Sequence, residues 1–287
     1  MDVSIIILTK NAGKRFDTLL HSIFSQKFDP TYEVLVIDSG SIDETLTTAR
    51  KFPTRITSIK PEEFHHGKTR NLGAVLSTGK ILIYITQDAL PLHDNWLQNL
   101  TGDFSNPDVA MIVGKQYPWQ TTKPPEIFFY SHYFPDFMII VNNLSADYRD
   151  NTFISNVNSA IRKDVWQQFK FSEHIILTED KELAGKIISA GLCIVYKPDA
   201  AVYHAHDLGI RTVFWKSVDY GTSLRQGAVK SNKSSWSGIA KFMAYLGAEF
   251  KFLFRNGYVK WAPYCVIYES SRYLGTLLGK TGLVQSR

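Results

Sequence analysis

Residues 81–91 read ILIYITQDALP, an apolar, partly β-branched run that stops at a single carboxylate, Asp88. A strand buried on both faces has this form, because neither face alternates with water. The same form recurs at residues 4–9 (SIIILT) and 33–37 (EVLVI), and between those two, residues 15–26 set Phe16, Leu19, Leu20, Ile23 and Phe24 at helical spacing. Strand, helix, strand is a βαβ unit. It continues with a helix over 43–51, a strand over 55–59, a helix over 68–77 and a strand over 80–86. The expected fold class is therefore α/β, with a mostly parallel sheet flanked by helices.

In an open α/β sheet, ligands gather at the carboxyl ends of the strands. The polar residues at those ends are Thr9 and Asn11 after the first strand, Asp38 after the second and Asp88 after the fourth. One alternative is that Asp38 caps the helix opening near Asp43 and Asp88 starts the turn at Pro91. That accounts for each residue singly and poorly for all of them together.

Farther on, residues 114–151 are aromatic and proline-bearing with no steady period, which predicts an irregular functional loop. Residues 153–161 (FISNVNSAI) predict a strand and residues 163–169 a short helix. Glu179 and Asp180 open a helix that runs to Ala190 before Gly191, and residues 193–206 predict a strand that sets His204 and His206 on one face.

The net charge of +5 conceals a division. Residues 1–208 hold 20 Lys+Arg against 24 Asp+Glu, and residues 209–287 hold 12 against 3, or +9. Such a basic tail suits an acidic partner: phospholipid head groups, a phosphorylated lipid or nucleic acid. Residues 239–255 gather Ile239, Phe242, Met243, Leu246, Phe250, Leu253 and Phe254 on one side of a helix, with Lys241, Glu249, Lys251 and Arg255 opposite. That helix either packs on the rest of the protein or lies on a membrane surface, where aromatic residues mixed with Lys and Arg fit well. No nucleic-acid motif accompanies it. Two distant cysteines, Cys193 and Cys265, give neither a disulfide framework nor a zinc pattern. The N-terminal apolar run is too short for a signal peptide, and no stretch reaches the ~18 apolar residues of a membrane span.

Taken in order, SIIILTKN, VLVIDSGSIDET, FHHGKTRNLGA, ILIYITQDALP, FISNVNSAIRKDVW, TEDKELAGKI and AVYHAHD resemble glycosyltransferase family 2, and within it the bacterial rhamnosyltransferase-like branch. The resemblance covers roughly residues 3 to 207. It implies a GT-A (Rossmann-like) catalytic domain over 1–207, followed by a basic, aromatic-rich helical region over 208–287. Where members usually carry Asp-x-Asp, this chain has Thr86-Gln87-Asp88.

The resemblance implies an inverting enzyme that transfers a sugar, L-rhamnose from dTDP-L-rhamnose, to a saccharide acceptor in bacterial cell-surface polysaccharide synthesis. It assigns Thr9, Asn11, Asp38 and Ser39 to the nucleoside, and His66, Arg70, Asn71 and Gln87 to the rest of the donor. Arg70 suits phosphate oxygens through its guanidinium fork. Asp88, with His204 or His206, would hold Mn²⁺ or Mg²⁺ against the leaving diphosphate. Asp180, beside Glu179, stands where inverting members place the catalytic base. A lipid-linked oligosaccharide acceptor and an anionic membrane would be partners, which places the protein in the cytoplasm on the inner face of the membrane. Competing readings are a family member that uses a UDP- or GDP-hexose, and a binding module that has lost its chemistry.

Overall fold

The β-branched run at the N-terminus becomes β1 (Val3–Thr9), buried along nearly its whole length. β2 (Tyr32–Asp38) and β4 (Ile81–Ile85) lie parallel to it on either side, and β3 (Thr54–Ser58) extends the same parallel sheet beyond β2. The crossovers are α1 (Arg15–Phe24), α2 (Thr45–Ala49) and α3 (His66–Leu76). Phe16, Leu19, Leu20 and Ile23 form the buried face of α1, as their spacing predicts. The computed structural model describes residues 2–143, 152–226 and 235–284.

Beyond β4 the sheet becomes mixed. β8 (Asn158–Arg162) runs antiparallel to both β4 and β6 (Val109–Tyr117), and β9 (Cys193–Tyr203) is parallel to β6. Short strands β5 (Leu90–Pro91) and β7 (Ile139–Val141) pair antiparallel with β9, giving the order β3-β2-β1-β4-β8-β6-β9-β5 with β7 off this path. Asn158 pins the reversed strand. Its side-chain oxygen accepts from the indole N–H of Trp96 on α4 (Trp96–Thr101) at 3.0 Å, and its amide donates to the Ala200 carbonyl at 2.7 Å. The strand completes its frame with α6 (Lys163–Phe169) and α7 (Glu179–Ser189).

Three expectations need correction. The stretch over 114–151 is not one loop. It holds the end of β6, α5 (Pro124–Tyr133) and β7, while residues 144–151 lie outside the described residues. Helix α5 starts on Pro124-Pro125, where missing N–H groups cost nothing, and it is apolar nearly all round, so no 3.6-residue period stands out. Residues 153–157 form turns, and the strand begins only at Asn158. β9 ends at Tyr203, so His204 and His206 stand beyond the strand rather than on its face.

The chain divides into two compact units. The first comprises 1–117, 133–173 and 179–204, and contains the whole sheet. The second comprises 118–132, 174–178 and 205–287, so it takes two inserted segments as well as the C-terminal region. It is built from α5, α8 (Ile210–Gln226), α9 (Ser235–Arg255) and α10 (Ala262–Thr281). Phe128 packs its ring 5.0 Å from Tyr245 and 5.5 Å from Phe252, and the Tyr268 hydroxyl donates to Glu126.

Candidate active site

At the carboxyl end of β2, Asp38 is fully buried. Its Oδ1 accepts from the Thr9 and Ser41 hydroxyls, and its Oδ2 accepts from the backbone N–H groups of Gly40 and Ser41. These four donors tie the carboxylate to the loop of residues 39–43, which it shapes. The tight turn needs Gly40 at φ +83°. Ser39 is held too, its hydroxyl donating to the Thr9 carbonyl at 3.0 Å. Asp43 rather than Asp38 caps the following helix, accepting from the Thr45 N–H at 3.0 Å.

The loop after β1 closes on the same edge. Asn11 adopts φ +48°, a left-handed conformation that Asn tolerates better than most residues, and its side-chain oxygen accepts from the Ile42 N–H at 2.9 Å. Gln87 reaches across from the end of β4. Its Oε1 accepts from the Lys10 N–H at 2.8 Å and its Nε2 donates to the Lys10 carbonyl at 3.2 Å. The ends of β1, β2 and β4 are thereby stitched into one rim.

Next to Gln87, Asp88 faces His204, with Nε2 to Oδ2 at 3.8 Å. The His204 ring is buried, and its Nδ1 lies 2.9 Å from Gln116 Oε1 on β6. A carbonyl oxygen can only accept, so Nδ1 carries a proton, and in the neutral ring Nε2, on the Asp88 side, is the nitrogen left to bind a metal. That is the tautomer a metal-binding imidazole needs, fixed by a buried neighbour. A hard carboxylate oxygen with one neutral imidazole suits Mn²⁺ or Mg²⁺, so the donor set fits a divalent ion. His206 is the second residue of the other compact unit, two positions along the chain.

The remaining acids come from α7. Glu179 is buried in an ion pair with Arg70 of α3. Close packing permits this. A Cβ on Gly67 would fall 1.9 Å from the Ser172 carbonyl oxygen, so only glycine lets the start of α3 approach that segment. Asn71 lies one residue on, with its whole amide engaged: Oδ1 accepts from the Trp166 indole and the Phe171 N–H, and Nδ2 donates to the Phe171 carbonyl and to Glu173. These bonds make Asn71 part of the frame that joins α3 to the segment before α7. His66 opens α3, its ring edge-on to Phe64 with centroids 5.0 Å apart.

Asp180 is half-buried. Its Oδ2 accepts from the Asn156 N–H at 3.3 Å and its Oδ1 from the Lys181 N–H at 2.8 Å. Burial, and then the negative charge of Glu179, push its carboxyl up to about 6. The adjacent Val157 carbonyl accepts from the Thr86 N–H at 3.2 Å, so the turn that holds Asp180 is bonded to the end of the strand that carries Asp88. Backbone links and hydrogen bonds run without a break from Asp38 through Thr9, Lys10, Gln87 and Thr86 to Val157, Asn156 and Asp180, with Asp88 next to Gln87 on the same strand end. Just before α7, Thr178 has φ +71°, a strained value for a β-branched residue and of the kind found beside functional groups.

Gln116 and Asn156 escaped the sequence reading. Gln116 lies in a segment without a motif of its own, and Asn156 lies in the family-like piece FISNVNSAIRKDVW with nothing to single it out; only the hydrogen bonds to His204 and Asp180 show what they hold.

The carboxyl edge of the half-parallel sheet thus carries an acidic rim, with a carboxylate–imidazole pair and a separate carboxylate of raised pKa. The pattern of Glycosyl transferase family 2 matches residues 4–169, and the chain belongs to that family. It is 31% identical to the O-antigen chain rhamnosyltransferase RfbN of Salmonella typhimurium, over 98% of this chain and 90% of that one. It is 30% identical to the O-antigen chain rhamnosyltransferase WbaN of Salmonella anatum, over 96% and 89%. Two solved structures share the fold. Staphylococcus aureus TarS 1–349 in complex with UDP-GlcNAc has a TM-score of 0.60 at 16% identity, covering 99% of this chain and 91% of that one. The mannosyltransferase PcManGT of Pyrobaculum calidifontis, in complex with GDP-Man and Mn²⁺, has a TM-score of 0.62 at 17% identity, covering 97% and 87%.

Proposed function

We propose that this glycosyltransferase moves L-rhamnose from dTDP-L-rhamnose, with inversion, to a lipid-linked saccharide during synthesis of a bacterial surface polysaccharide. The likeness to two O-antigen rhamnosyltransferases over almost the whole chain carries the choice of sugar and process. In the transfer, Asp180 accepts the proton of the acceptor hydroxyl as that oxygen bonds to the anomeric carbon. The bond from that carbon to the diphosphate breaks on the opposite face, and its electron pair leaves with the phosphate oxygen. A single base with no covalent nucleophile gives inversion. Asp88 and His204, joined by His206, would hold a divalent ion whose Lewis acidity stabilises the leaving diphosphate. Arg70 fixes Glu179 and hence the start of α7, and its remaining N–H groups suit a phosphate oxygen.

Domain-wise, residues 1–207 carry catalysis and 208–287 the attachment. The +9 charge of the C-terminal region supports a peripheral position on the acidic inner face of the cell membrane, where a lipid-linked acceptor is found. Among the described residues, no helix is long and apolar enough to cross a membrane. A second reading, a UDP- or GDP-hexose donor, draws on the ligands of the two solved relatives. Thermal stabilisation by a panel of nucleotide sugars, with and without Mn²⁺, separates the two. The largest shift with dTDP-rhamnose supports the first, and a larger one with a UDP- or GDP-sugar overturns it.

A further inference from the structure

The helices α9 and α10 of the second unit bury two carboxylates while leaving several large apolar side chains outside. Facing inward on α9 is Glu249, 0% exposed, with no conventional hydrogen-bond partner for either oxygen among the described residues and the Cys265 thiol against it. Facing inward on α10 is Glu269, 2% exposed, one oxygen paired with Arg272 and the other unpartnered. Burial, and then the neighbouring Glu269, push Glu249 up to about 7.

The outward faces are apolar. On α9, Ile239, Met243 (59% exposed), Phe250 and Phe254 (78% exposed) lie within about 60° of arc at 100° per residue. On α10, Ile267 (54% exposed) and Leu274 also face water. Small residues make this possible. Gly275 and Gly279 let α10 lie against α8 backbone to backbone, since a Cβ on Gly279 would fall 2.1 Å from the Val218 carbonyl oxygen. The large apolar side chains are therefore left on the outside. A water-facing pair of helices has the opposite arrangement.

Charge decides what covers that face. Residues 209–287 hold 12 basic and 3 acidic residues, and two of those acids are the buried Glu249 and Glu269. Lys251, Arg255 and Lys260 are exposed around the turn between the helices, beside Phe254, Tyr258 and Val259. A second copy of the chain would bring the same positive rim against itself. An anionic lipid surface complements it, with acyl chains for the apolar stripe. We infer that the outer face of the α9–α10 hairpin lies in the interface of an anionic bilayer, with Lys251, Arg255 and Lys260 among the head groups. This rests on the peripheral attachment proposed above and assigns it to one element and one face.

The test is flotation of the full-length protein with phosphatidylglycerol–phosphatidylcholine vesicles, comparing wild type with Met243→Asp/Phe254→Asp and with Val75→Asp, which alters an exposed apolar residue of α3 in the other unit. Circular dichroism and nucleotide-sugar turnover in the same samples report folding. The expected result is that wild type and Val75→Asp float while the double variant, folded and active, loses about tenfold or more of its binding. If all three float equally, the hairpin assignment fails while peripheral attachment stands. If active wild type stays in solution at low salt, attachment itself fails. A wild-type dimer in light scattering that the double variant dissociates, without vesicle binding, makes the face a contact between copies and overturns the inference.

Discussion

Arg70 and Glu179, 109 positions apart, form a buried ion pair that joins α3 to the first turn of α7. Removing one member of such a pair leaves an uncompensated charge in the interior. Arg70→Met is expected to cost about 3–5 kcal/mol in chemical denaturation, and Arg70→Met/Glu179→Leu is expected to recover much of it. Additive losses in this double-mutant cycle would show that the two side chains do not act as a unit.

The raised carboxyl of Asp180 makes the reaction dependent on pH. A base works as the carboxylate, so kcat is expected to fall about tenfold per pH unit below a midpoint near 6 and to level off above it. Glu179→Gln removes a neighbouring negative charge and moves that midpoint down. Stability runs the other way. A carboxyl whose folded pKa lies above its ordinary value contributes stability below pH 3.8 that is lost as pH rises through about 6. Asp180→Asn should therefore melt higher than wild type at pH 8, measured by calorimetry.

Gln116 holds the His204 ring through its Nδ1. Gln116→Leu is expected to weaken Mn²⁺ binding about 10–100-fold in isothermal titration, with donor binding measured without metal unchanged. Unaltered Mn²⁺ affinity would remove His204 from the metal site.

Asp38 builds the loop of residues 39–43, and the proposed role of that loop is to hold the nucleoside. Asp38→Ala strands the Gly40 and Ser41 N–H groups and should cost at least ~2 kcal/mol of stability. Nucleotide affinity should fall with it, and calorimetric titration with dTDP checks that outcome.

Much of this was open to sequence reading because β1, β2 and β4 are continuous apolar runs, and α/β connectivity then fixes where Asp38 and Asp88 must stand. What those carboxylates touch was not readable. Four donors from a loop with Ser41 and Gly40 hold Asp38, and only the folded loop reveals it. In the C-terminal helix the apolar arc from Leu253 to Phe254 is wider than the buried face. Amphipathicity alone put Glu249 outside with Lys251, whereas packing rotates the helix so that Leu246, Leu253 and Glu249 are buried and Met243 and Phe254 are not. A helix with more apolar surface than its core can take leaves its orientation to its neighbours, here the ring of Phe128 against Tyr245 and Phe252 and the ring of Tyr273 against Phe242.

The central claim is that Asp180 performs the proton transfer while a separate part of the rim binds the donor. Paired measurements on Asp180→Asn test it: dTDP-rhamnose affinity by titration calorimetry and single-turnover transfer to a saccharide acceptor. Affinity within about twofold of wild type, with transfer slowed at least ~10²–10⁴-fold, is the predicted result. Transfer at the wild-type rate would contradict it, and so would a loss of donor affinity as large as the loss of rate.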